Sequence, residues 1–380
     1  MTTDKHNKRP NVPPLRFPEF SGEWEKHLTT DFFEFKNGLN PDVKRFGSGT
    51  KFISVMDILN NRYITYDKII SSVEAKDDDL RDFGVNYGDI LFQRSSETLE
   101  DVGRANVYLD EKPALFGGFV IRGKRIGDYN PLFFRYLLSS PSVRKRIIVK
   151  GAGAQHFNIG QDGLSKVSLF VPSAKEQDRI AQLLNAIDKR IEVQSGLINK
   201  LESLISGIIE RITAQSPNVR IADCLDCHSS TLQENQLNEA GGYRVYGANG
   251  ICGYTGSPAI NGAAILIVKD GSGVGNVSYA QGEYSVIGTS NYLTAKNGYS
   301  LRYLYYSLMK FNFAPYKTGM AIPHIYFKDY GKAKIYCPSL EEQGRIASNL
   351  FKIERKIEIE RSIKDCCIAQ KQYLLQQMFI

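Results

Sequence analysis

A heptad repeat that starts just after Pro172 constrains the fold of this chain more than any other feature. From there to residue 213 the sequence has no proline, and apolar residues recur at alternating steps of four and three, broken only by Gln194. This spacing places one apolar stripe along a helix, and two helices bury such stripes by wrapping around each other. The apolar positions of the stripe are Ile180, Leu184, Ile187, Ile191, Ile198, Leu201, Ile205, Ile208 and Ile212. Such a helix requires a partner.

The partner is predicted to be a second helix of the same chain. The segment 176–181 (Glu-Gln-Asp-Arg-Ile-Ala) recurs 166 positions later, at 342–347, as Glu-Gln-Gly-Arg-Ile-Ala. The same offset continues the seam through Ile346, Leu350, Ile353 and Ile357, after which Glu360, Lys364 and Lys371 replace apolar residues. An internal repeat of this kind indicates a duplicated architecture. The chain is therefore predicted to have two similar halves, each a globular head followed by a long helix.

The predicted fold class is α+β, with two tandem mixed α/β heads joined by two long coiled-coil helices in a pseudo-two-fold internal repeat. Parallel helices would place the heads side by side, and antiparallel helices would place them at opposite ends of a rod. The predicted parts are a disordered arm at 1–13, a first head at 14–171, a first spacer helix at 172–215, a second head at 216–337 and a second spacer helix at 338–380. A helix of about 39 residues is roughly 60 Å long. The paired helices are thus expected to act as a spacer as well as a clamp.

Both heads are predicted to follow one plan. In the first, short β-rich runs precede a helix that opens at Asn130-Pro131, a glycine-rich loop at 151–159 and a strand at 167–171. The second has a strand at 263–268, a turn at 269–275 and an aromatic helix at 299–309. Since the interiors differ on a repeated plan, the two heads are expected to bind different ligands of one class.

The composition indicates which kinds of partner and which compartment to expect for this protein. The net charge of +7 and the pI near 8.9 favour a polyanionic partner. No apolar run approaches the ~20 residues of a membrane span, and the polar N-terminus has no export signal, so a cytoplasmic protein without membrane contact is expected. The six cysteines lack the spacing of a disulfide framework and are expected to be reduced.

Three stretches contain residue types found in catalytic, metal or phosphate sites but lack the other residues or elements that such sites require. Asp42 followed distantly by Glu74-Ala75-Lys76 is a short pattern that recurs by chance. The segment 224–228 (Cys-Leu-Asp-Cys-His) has only Cys252 nearby to extend a zinc set, and the glycine turn 271–275 leads to a strand-like run instead of a helix. The sequence also lacks the Asn/Asp-Pro-Pro-Tyr/Phe motif of methyltransferases that act on exocyclic amines. The sequence predicts no catalytic residue, no metal site and no cofactor bound by this chain.

The chain resembles a known family, the specificity (S) subunits of Type I restriction-modification enzymes, from about Pro14 onward. The resemblance is carried by the Pro-Ser-x-x-Glu-Gln-x-Arg-Ile-Ala start of both helices, at Pro172 and Pro338, by the runs 116–120 and 246–250, and by the turn 271–275. It implies two target-recognition domains, each reading one half of a split DNA sequence. It also implies antiparallel helices that bind two modification subunits and, through them, restriction subunits. AdoMet would then belong to the modification subunits, and ATP and Mg²⁺ to the restriction subunits.

Loop side chains supply candidate contacts to duplex DNA. Arg and Lys suit guanine in the major groove, and Asn and Gln suit adenine. The predicted DNA-binding residues are Arg94, Ser95, Ser96, Arg104, Gln155, His156 and Asn158 in the first head and Lys269, Ser272, Asn276, Lys317, Thr318 and His324 in the second. Because the heads differ, the target is expected to be asymmetric and bipartite.

Two alternatives from other classes remain open at this point. A coiled-coil scaffold whose heads bind proteins would show weak DNA binding that salt abolishes. A self-contained nuclease would depend on Asp42 for metal-dependent cleavage.

Overall fold

The computed structural model describes residues 11–319 and 322–380, which fall into two compact units. Unit 1 contains residues up to Gln194 together with Ile363–Ile380, and unit 2 contains Ser195–Ser362. Each unit has a head of mixed helix and sheet and one portion of each long helix, α6 (Ala174–Thr213) and α10 (Leu340–Gln377). The boundary between the units therefore crosses both helices. The sequence prediction had instead treated each long helix as a segment separate from the heads. The difference arises because each portion of a helix buries its apolar stripe against the head of its own unit.

The head of unit 1 has eleven short strands and five short helices among the described residues. The strands are β1 (Glu25–Leu28), β2 (Phe33–Asn37), β3 (Phe46–Ile53), β4 (Ser72–Val73), β5 (Ile90–Gln93), β6 (Ser95–Ser96), β7 (Ala105–Val107), β8 (Leu115–Phe116), β9 (Val120–Arg125), β10 (Phe157–Asn158) and β11 (Ser168–Val171). The helices are α1 (Val55–Asn60), α2 (Asp79–Phe83), α3 (Pro131–Ser139), α4 (Pro141–Ile148) and α5 (Gln161–Ser165). A four-stranded sheet in the order β2-β9-β5-β7 forms the centre.

The head of unit 2 is dominated by one sheet. Its strands are β12 (Val219–Arg220), β13 (Leu225–Ser229), β14 (Tyr243–Gly247), β15 (Gly250–Thr255), β16 (Ile260–Val268), β17 (Val277–Val286), β18 (Ser290–Ala295) and β19 (Lys334–Ile335), and its helices are α7 (Ile221–Cys224), α8 (Leu301–Met309) and α9 (Phe327–Tyr330). Six of the strands form a sheet in the order β13-β18-β16-β17-β14-β15. The central strand β16 is apolar and buried from Ala264 to Val268, as the sequence indicated.

The apolar stripes of α6 and α10 pack together in both units. In unit 1, Ile180, Leu184 and Ile187 of α6 share a core with Cys367 and other late residues of α10. In unit 2 the pairing involves the opposite ends of the helices, with late positions of α6 against early positions of α10. The residues are Ile198, Leu201 and Ile205 from α6 and Ile346, Leu350, Ile353 and Ile357 from α10. The helix portions therefore run antiparallel within each unit, and Ile191 packs at the edge of the unit 1 core.

The buried face near the end of α6 is wider than the predicted seam. Ile209 is 1% exposed and Ile212 is 9% exposed, whereas Ile208 only packs against the edge of the core. A straight helix has 3.6 residues per turn, so a strict heptad drifts by about 20° per repeat. By the fourth heptad Ile209 has therefore joined the buried face, while the seam position Ile212 stays buried.

Two of the charged residues that interrupt the second seam form ion pairs. Lys371 Nζ lies 2.6 Å from the buried carboxylate of Asp188, and Glu360, which is 3% exposed, pairs with Lys356. The buried charges are therefore compensated by ion pairs, as burial requires.

The repeated Glu-Gln motif has a structural role. Gln177 Oε1 accepts from the N–H of Asn130, the N-cap of α3, at 3.0 Å, and Gln177 Nε2 donates to the carbonyl of Pro172 at 3.0 Å. In unit 2, Gln343 makes the same two bonds, to the N-cap residue of α8 at 2.9 Å and to the proline that precedes α10 at 2.9 Å. Each glutamine thus ties the start of a long helix to the helix of its own head.

The segment before β1 packs on unit 1. The side chain of Arg16 donates to the buried carboxylate of Glu176 at 2.7 Å, and Trp24 Nε1 donates to the same carboxylate at 3.3 Å. Of the arm predicted to be disordered, residues 1–10 lie outside the described residues. Residues 11–13, however, are placed in the fold: Asn11 accepts from Trp24 N–H at 2.8 Å, and Pro13 is buried. For these three residues the prediction of disorder is wrong.

The letters that resembled a zinc site do not form one. Cys224 Sγ donates to the carbonyl of Ile221 at 3.3 Å, and His228 stacks on Tyr292 with ring centroids 4.8 Å apart. Within the described ranges, no group of three His, Cys, Asp or Glu side chains is placed to hold a metal ion. No helix in the same ranges has both the length and the hydropathy of a membrane-spanning segment.

Candidate nucleic-acid interface

The end of β5 organises the loops of the first head. Arg94 follows this strand; its N–H donates to the carbonyl of Phe119 at 2.9 Å, and its carbonyl accepts from the N–H of Ile159 at 2.9 Å. The next residues form β6, which pairs with β10 and sets Ser95 opposite Asn158. The Ser95 hydroxyl also donates to Asn158 Oδ1. Three loops are thereby joined at the end of one central strand.

The end of β16 organises the second head in the same way. The N–H of Lys269 donates to the carbonyl of Thr289 at 2.9 Å, and its carbonyl accepts from the N–H of Ile325 at 2.9 Å. Asp270 forms a β-bridge with His324. This bonding repeats that of the first head residue for residue, so the two interfaces are built on one backbone frame.

The long loop of each head is closed by the same pair of bonds. The end residues of the loops 152–158 and 318–324 exchange both backbone hydrogen bonds, at 2.9 and 2.8 Å in each case. Gly153 and Gly319 have φ values of +146° and +88°, and a Cβ atom there would lie 2.0 and 2.3 Å from a carbonyl oxygen of the same loop. Only glycine is compatible with this turn, which explains why it recurs in the repeat.

The turn after β5 or β16 is equivalent in the two heads although its length differs. Gln93 N–H donates to the carbonyl of Arg104 at 2.8 Å, and Val268 N–H donates to the carbonyl of Asn276 at 3.0 Å. The turn spans 94–104 in the first head and 269–276 in the second, with three extra residues in the first. Gly103 of the first turn is equivalent to Gly275 of the second, since their N–H groups donate to the carbonyls of Gln93 and Val268 at 2.9 Å in each case. Gly271 and Gly273 have no glycine counterpart in the first turn, while the frame is kept.

Equivalent positions on this frame have chemically different side chains. The pairs, first head then second, are Arg94 and Lys269, Ser95 and Asp270, Arg104 and Asn276, Phe119 and Thr289, and Asn158 and His324. One scaffold therefore presents two different sets of donors, acceptors and apolar groups.

Most of the predicted DNA-binding residues lie on these loops. The first head brings together Arg94, Ser95, Ser96 and Asn158, and Gln155 and His156 are exposed on the loop that Asn158 closes. The second head brings together Lys269, Thr318 and His324, and Ser272, Asn276 and Lys317 are exposed beside them. Arg104 is at the far side of its turn, where its guanidinium pairs with Asp101 at 2.6 Å. Which of these side chains contact bases stays a prediction.

A cluster of guanidinium groups lies next to the first-head loops. Arg104, Arg135 and Arg144 line a cavity of about 440 Å³. Arg144 donates to the carbonyls of Glu100 and Val102 at 2.8 and 2.7 Å. Burial, reinforced by the nearby charge of Arg104, lowers the pKa of Arg144 to about 10. Arg104 and Arg135 are paired with the carboxylates of Asp101 and Asp188, whereas Arg144 bonds to neutral carbonyls, so an anion in the cavity would chiefly offset the charge of Arg144.

The sequence prediction missed the third loop of each frame. Phe119 and Thr289 are both exposed and hydrogen-bonded through their carbonyls to the first residue after the central strand. Neither has the polar side chain used to select candidates. The glycines at 117, 118 and 288 could have identified these loops, since glycine beside a strand indicates that another backbone approaches closely.

The long helices also have exposed apolar side chains outside the seam. Val193 is 67% exposed and Leu204 is 49% exposed on α6, and Ile359 and Tyr373 on α10 are 49% and 57% exposed. Exposed apolar groups of this size indicate surfaces that bind other proteins when they are contiguous.

These features define a class of protein with two heads of shared frame and divergent contact surface, each seated on a pair of antiparallel helices. The model of the family described as Type I restriction modification DNA specificity domain matches residues 21–203 and again residues 218–366. The chain belongs to this family, and the resemblance inferred from its sequence is confirmed, as is its fold class.

Known proteins agree with this assignment. The chain is similar to the Type I restriction enzyme EcoKI specificity subunit of Escherichia coli K12, with 25% identity over 187 residues that cover 48% of this chain and 40% of that protein. It is also similar to a Methanocaldococcus jannaschii protein described as the type I restriction enzyme MjaX specificity subunit, at 23% identity over 94% of this chain and 93% of that one. The crystal structure of a Type I restriction-modification system S subunit from M. genitalium has the same fold, with a TM-score of 0.67, 18% identity, and coverage of 97% of this chain and 99% of that one.

Proposed function

We propose that this chain is the DNA-specificity subunit of a Type I restriction-modification complex, in which each head reads one half of an asymmetric, bipartite duplex target. The observation that carries the proposal is the shared backbone frame with different side chains at equivalent positions. A frame kept by the same hydrogen bonds keeps the docking geometry, and the exchanged side chains change which base edges are matched.

The residue types suit this task. Arg94 and Lys269 follow the central strand of each head, and cations at such a position match the acceptors of guanine. Asn158 and His324 close the long loops, where an amide suits adenine and an imidazole offers one donor and one acceptor. The cavity at Arg104 and Arg144 adds positive charge of the kind that holds phosphate and fixes register without reading sequence.

The paired helices are proposed to bind two methyltransferase subunits and, through them, restriction subunits, with the exposed apolar side chains of α6 and α10 as contact points. On this proposal the chain performs no chemistry. AdoMet would be bound by the methyltransferase subunits, ATP and Mg²⁺ by the restriction subunits, and the complex would act in the cytoplasm on cellular DNA.

The test is a genome-wide map of adenine methylation in cells that contain this chain and its methyltransferase partner, compared with cells that lack this chain alone. We expect a gapped, asymmetric motif that disappears with the chain. A methyltransferase that is active with another specificity subunit but yields no motif with this one would contradict the proposal and favour a protein-binding scaffold. Metal-dependent cleavage by the purified chain, abolished by Asp42→Ala, would favour a nuclease.

A further inference from the structure

An apolar groove opens on the head of unit 1 beside the candidate interface. Its volume is about 430 Å³, and its lining includes Phe46, Met56 and Phe119. These three side chains are 44%, 60% and 70% exposed. Large apolar groups that stay exposed in one concave site indicate that something covers them when the protein functions.

Packing and backbone hydrogen bonds support the lining of the groove. The ring of Phe46 packs edge-on against Phe52 with centroids 5.4 Å apart, and Phe52 is itself 6% exposed. The side chain of Asn40 lies over Gly118, where a Cβ atom would come within 2.0 Å of Asn40 Oδ1. The backbone of this loop is also held by a hydrogen bond from the N–H of Val120 to the carbonyl of Gly117 at 2.9 Å, which keeps Phe119 at the rim of the groove.

The groove is continuous with the frame that joins the three loops. Ser95, a member of that frame, also lines the groove. Arg94 donates from its N–H to the carbonyl of Phe119 at 2.9 Å and from Nη1 to the carbonyl of Gly118 at 3.3 Å. A ligand that contacts Arg94 and Ser95 would therefore lie at the rim of the groove.

Because the proposed ligand of the head is duplex DNA, the group that occupies the groove should be an apolar group of the DNA. Among the groups that base pairs present in the major groove, the 5-methyl of thymine is the apolar one, and aromatic side chains are among its known contacts. We propose that the groove receives the 5-methyl group of a thymine in the half-site of the first head, which makes Phe119 a specificity-determining residue. This inference rests on the proposed function and extends it to a thymine in one half-site.

The second head provides an internal comparison. The position equivalent to Phe119 is Thr289, which is exposed and bonded through its carbonyl to Lys269 at 2.9 Å. The contact surface of the two heads therefore differs in size and polarity at this place. Dependence on Phe119 is expected for one half-site and not for the other.

The test uses the full chain assembled with its methyltransferase partner and duplexes of the mapped target. Each thymine of both half-sites is replaced singly by deoxyuridine, which removes the 5-methyl group and keeps the hydrogen-bonding edge. At one position in one half-site we expect the wild-type complex to lose about fourfold in affinity at constant salt, as for exposing one buried methyl group. The Phe119→Ala complex is expected to bind the thymine and deoxyuridine duplexes equally at that position.

Two further variants complete the design. Met56→Ala shortens another exposed side chain of the groove lining and is expected to reduce the same discrimination, which guards against a fold defect peculiar to Phe119→Ala. Ile126→Ala is the control, because Ile126 is 57% exposed on the same head and is not part of the groove lining. It is expected to keep the full difference between the two duplexes.

The outcomes separate this inference from the proposed function. The inference alone is overturned if the wild-type complex has a gapped motif but binds every deoxyuridine duplex as tightly as the thymine duplex. It is also overturned if the motif contains no thymine on either strand. Weaker binding of the methyltransferase partner by Phe119→Ala and Met56→Ala, with thymine discrimination unchanged, also overturns it and makes the groove a protein contact. A wild-type complex without any sequence preference overturns the proposed function, and the inference with it.

Discussion

The hydroxyl of Tyr136 donates a 2.8 Å hydrogen bond to Asp188 Oδ2, which joins α3 of the first head to α6. The carboxylate of Asp188 is buried and also lies 2.6 Å from Lys371 Nζ on α10. Unit 2 repeats the contact, with Tyr306 of α8 donating to Glu354 of α10 at 2.6 Å. Each head is thus attached to its own long helix by a hydrogen bond to a carboxylate, which fixes the orientation of its loops.

Removing the first of these hydroxyl groups should destabilise unit 1. Tyr136→Phe leaves Asp188 buried with one donor fewer, and hydrogen bonds to charged groups contribute about 1.5–3 kcal/mol. We expect the free energy of unfolding to fall by that amount, measured by chemical denaturation, with faster hydrogen exchange in α3. Tyr373→Phe, at an exposed position of α10, should change it by less than about 0.5 kcal/mol. Equal denaturation midpoints for the two variants would show that the bond to Asp188 contributes nothing.

A charge in the seam should disrupt the helix pair. Leu184 is fully buried in the unit 1 core, so Leu184→Glu loses its packing and places a carboxylate among apolar groups, at a cost of several kcal/mol. We expect a lower thermal midpoint and loss of co-purification with the methyltransferase partner.

Ala186→Glu adds the same charge on the exposed face of α6, two residues away, and serves as the control. It is expected to fold and to assemble. The paired-helix interpretation would fail if both variants assembled equally well.

The sequence predicted the long helices and the duplication because both leave a periodic signal. The repeated glutamine was visible since Gln177 and Gln343 must each satisfy the N-cap of a head helix and a proline carbonyl. The role of Lys371 was hidden, because its partner Asp188 lies 183 positions earlier and no local pattern couples them. Three-dimensional pairing decides whether a charge in a seam is a defect or part of an ion pair.

The candidate site was predicted in outline and missed in detail. Loop polarity located Asn158 and His324, which proved to be equivalent on the shared frame. The equivalence of Ser95 and Asp270 was concealed because they are 175 positions apart, nine more than the repeat offset of 166 that relates Asn158 to His324; three of the nine extra residues lie in the turn of the first head. Phe119 was passed over because selection by hydrogen-bonding capacity excludes an aromatic residue, although its backbone is part of the frame.

Substitution at equivalent loop positions should affect one half-site at a time. Asn158→Ala removes an amide from the first head, and His324→Ala removes an imidazole from the second. Loss of one good base contact corresponds to about 1–3 kcal/mol of discrimination. We expect methylation maps in which each variant relaxes one half of the motif and leaves the other half unchanged. Relaxation of both halves by either variant would contradict independent reading by the two heads.

The arginine cluster should contribute affinity without sequence information. Arg104→Gln removes one of the guanidinium groups that line the cavity beside the first head. If Arg104 contacts a phosphate, binding weakens to a similar degree on all sequences, and the slope of log affinity against log salt falls by about 1. The measurement is a salt titration with target and non-target duplexes. Arg355→Gln, at an exposed position on α10 that pairs with Glu358, is the control and should leave the slope unchanged. A loss confined to the target duplex would instead make Arg104 a base contact.

The contact between Tyr306 and Glu354 should make the stability of unit 2 depend on pH. Burial raises the pKa of Glu354, and the hydrogen bond from Tyr306 offsets only part of this effect. A carboxyl group whose pKa is raised in the folded state contributes stability below its unfolded pKa, and this contribution is lost as the pH rises through the folded pKa. At neutral pH the ionised Glu354 therefore lowers stability relative to a neutral group of the same shape.

Glu354→Gln keeps an acceptor for Tyr306 and has no charge at any pH. We expect its thermal midpoint to exceed that of the wild-type protein at pH 7–8, and the difference to shrink as the pH falls toward about 4.3, the ordinary pKa of a glutamate. Glu341→Gln, at an exposed position near the start of α10, should give no such gain. A difference that is independent of pH, or that grows on acidification, would mean that the hydrogen bond to the ionised carboxylate outweighs its burial.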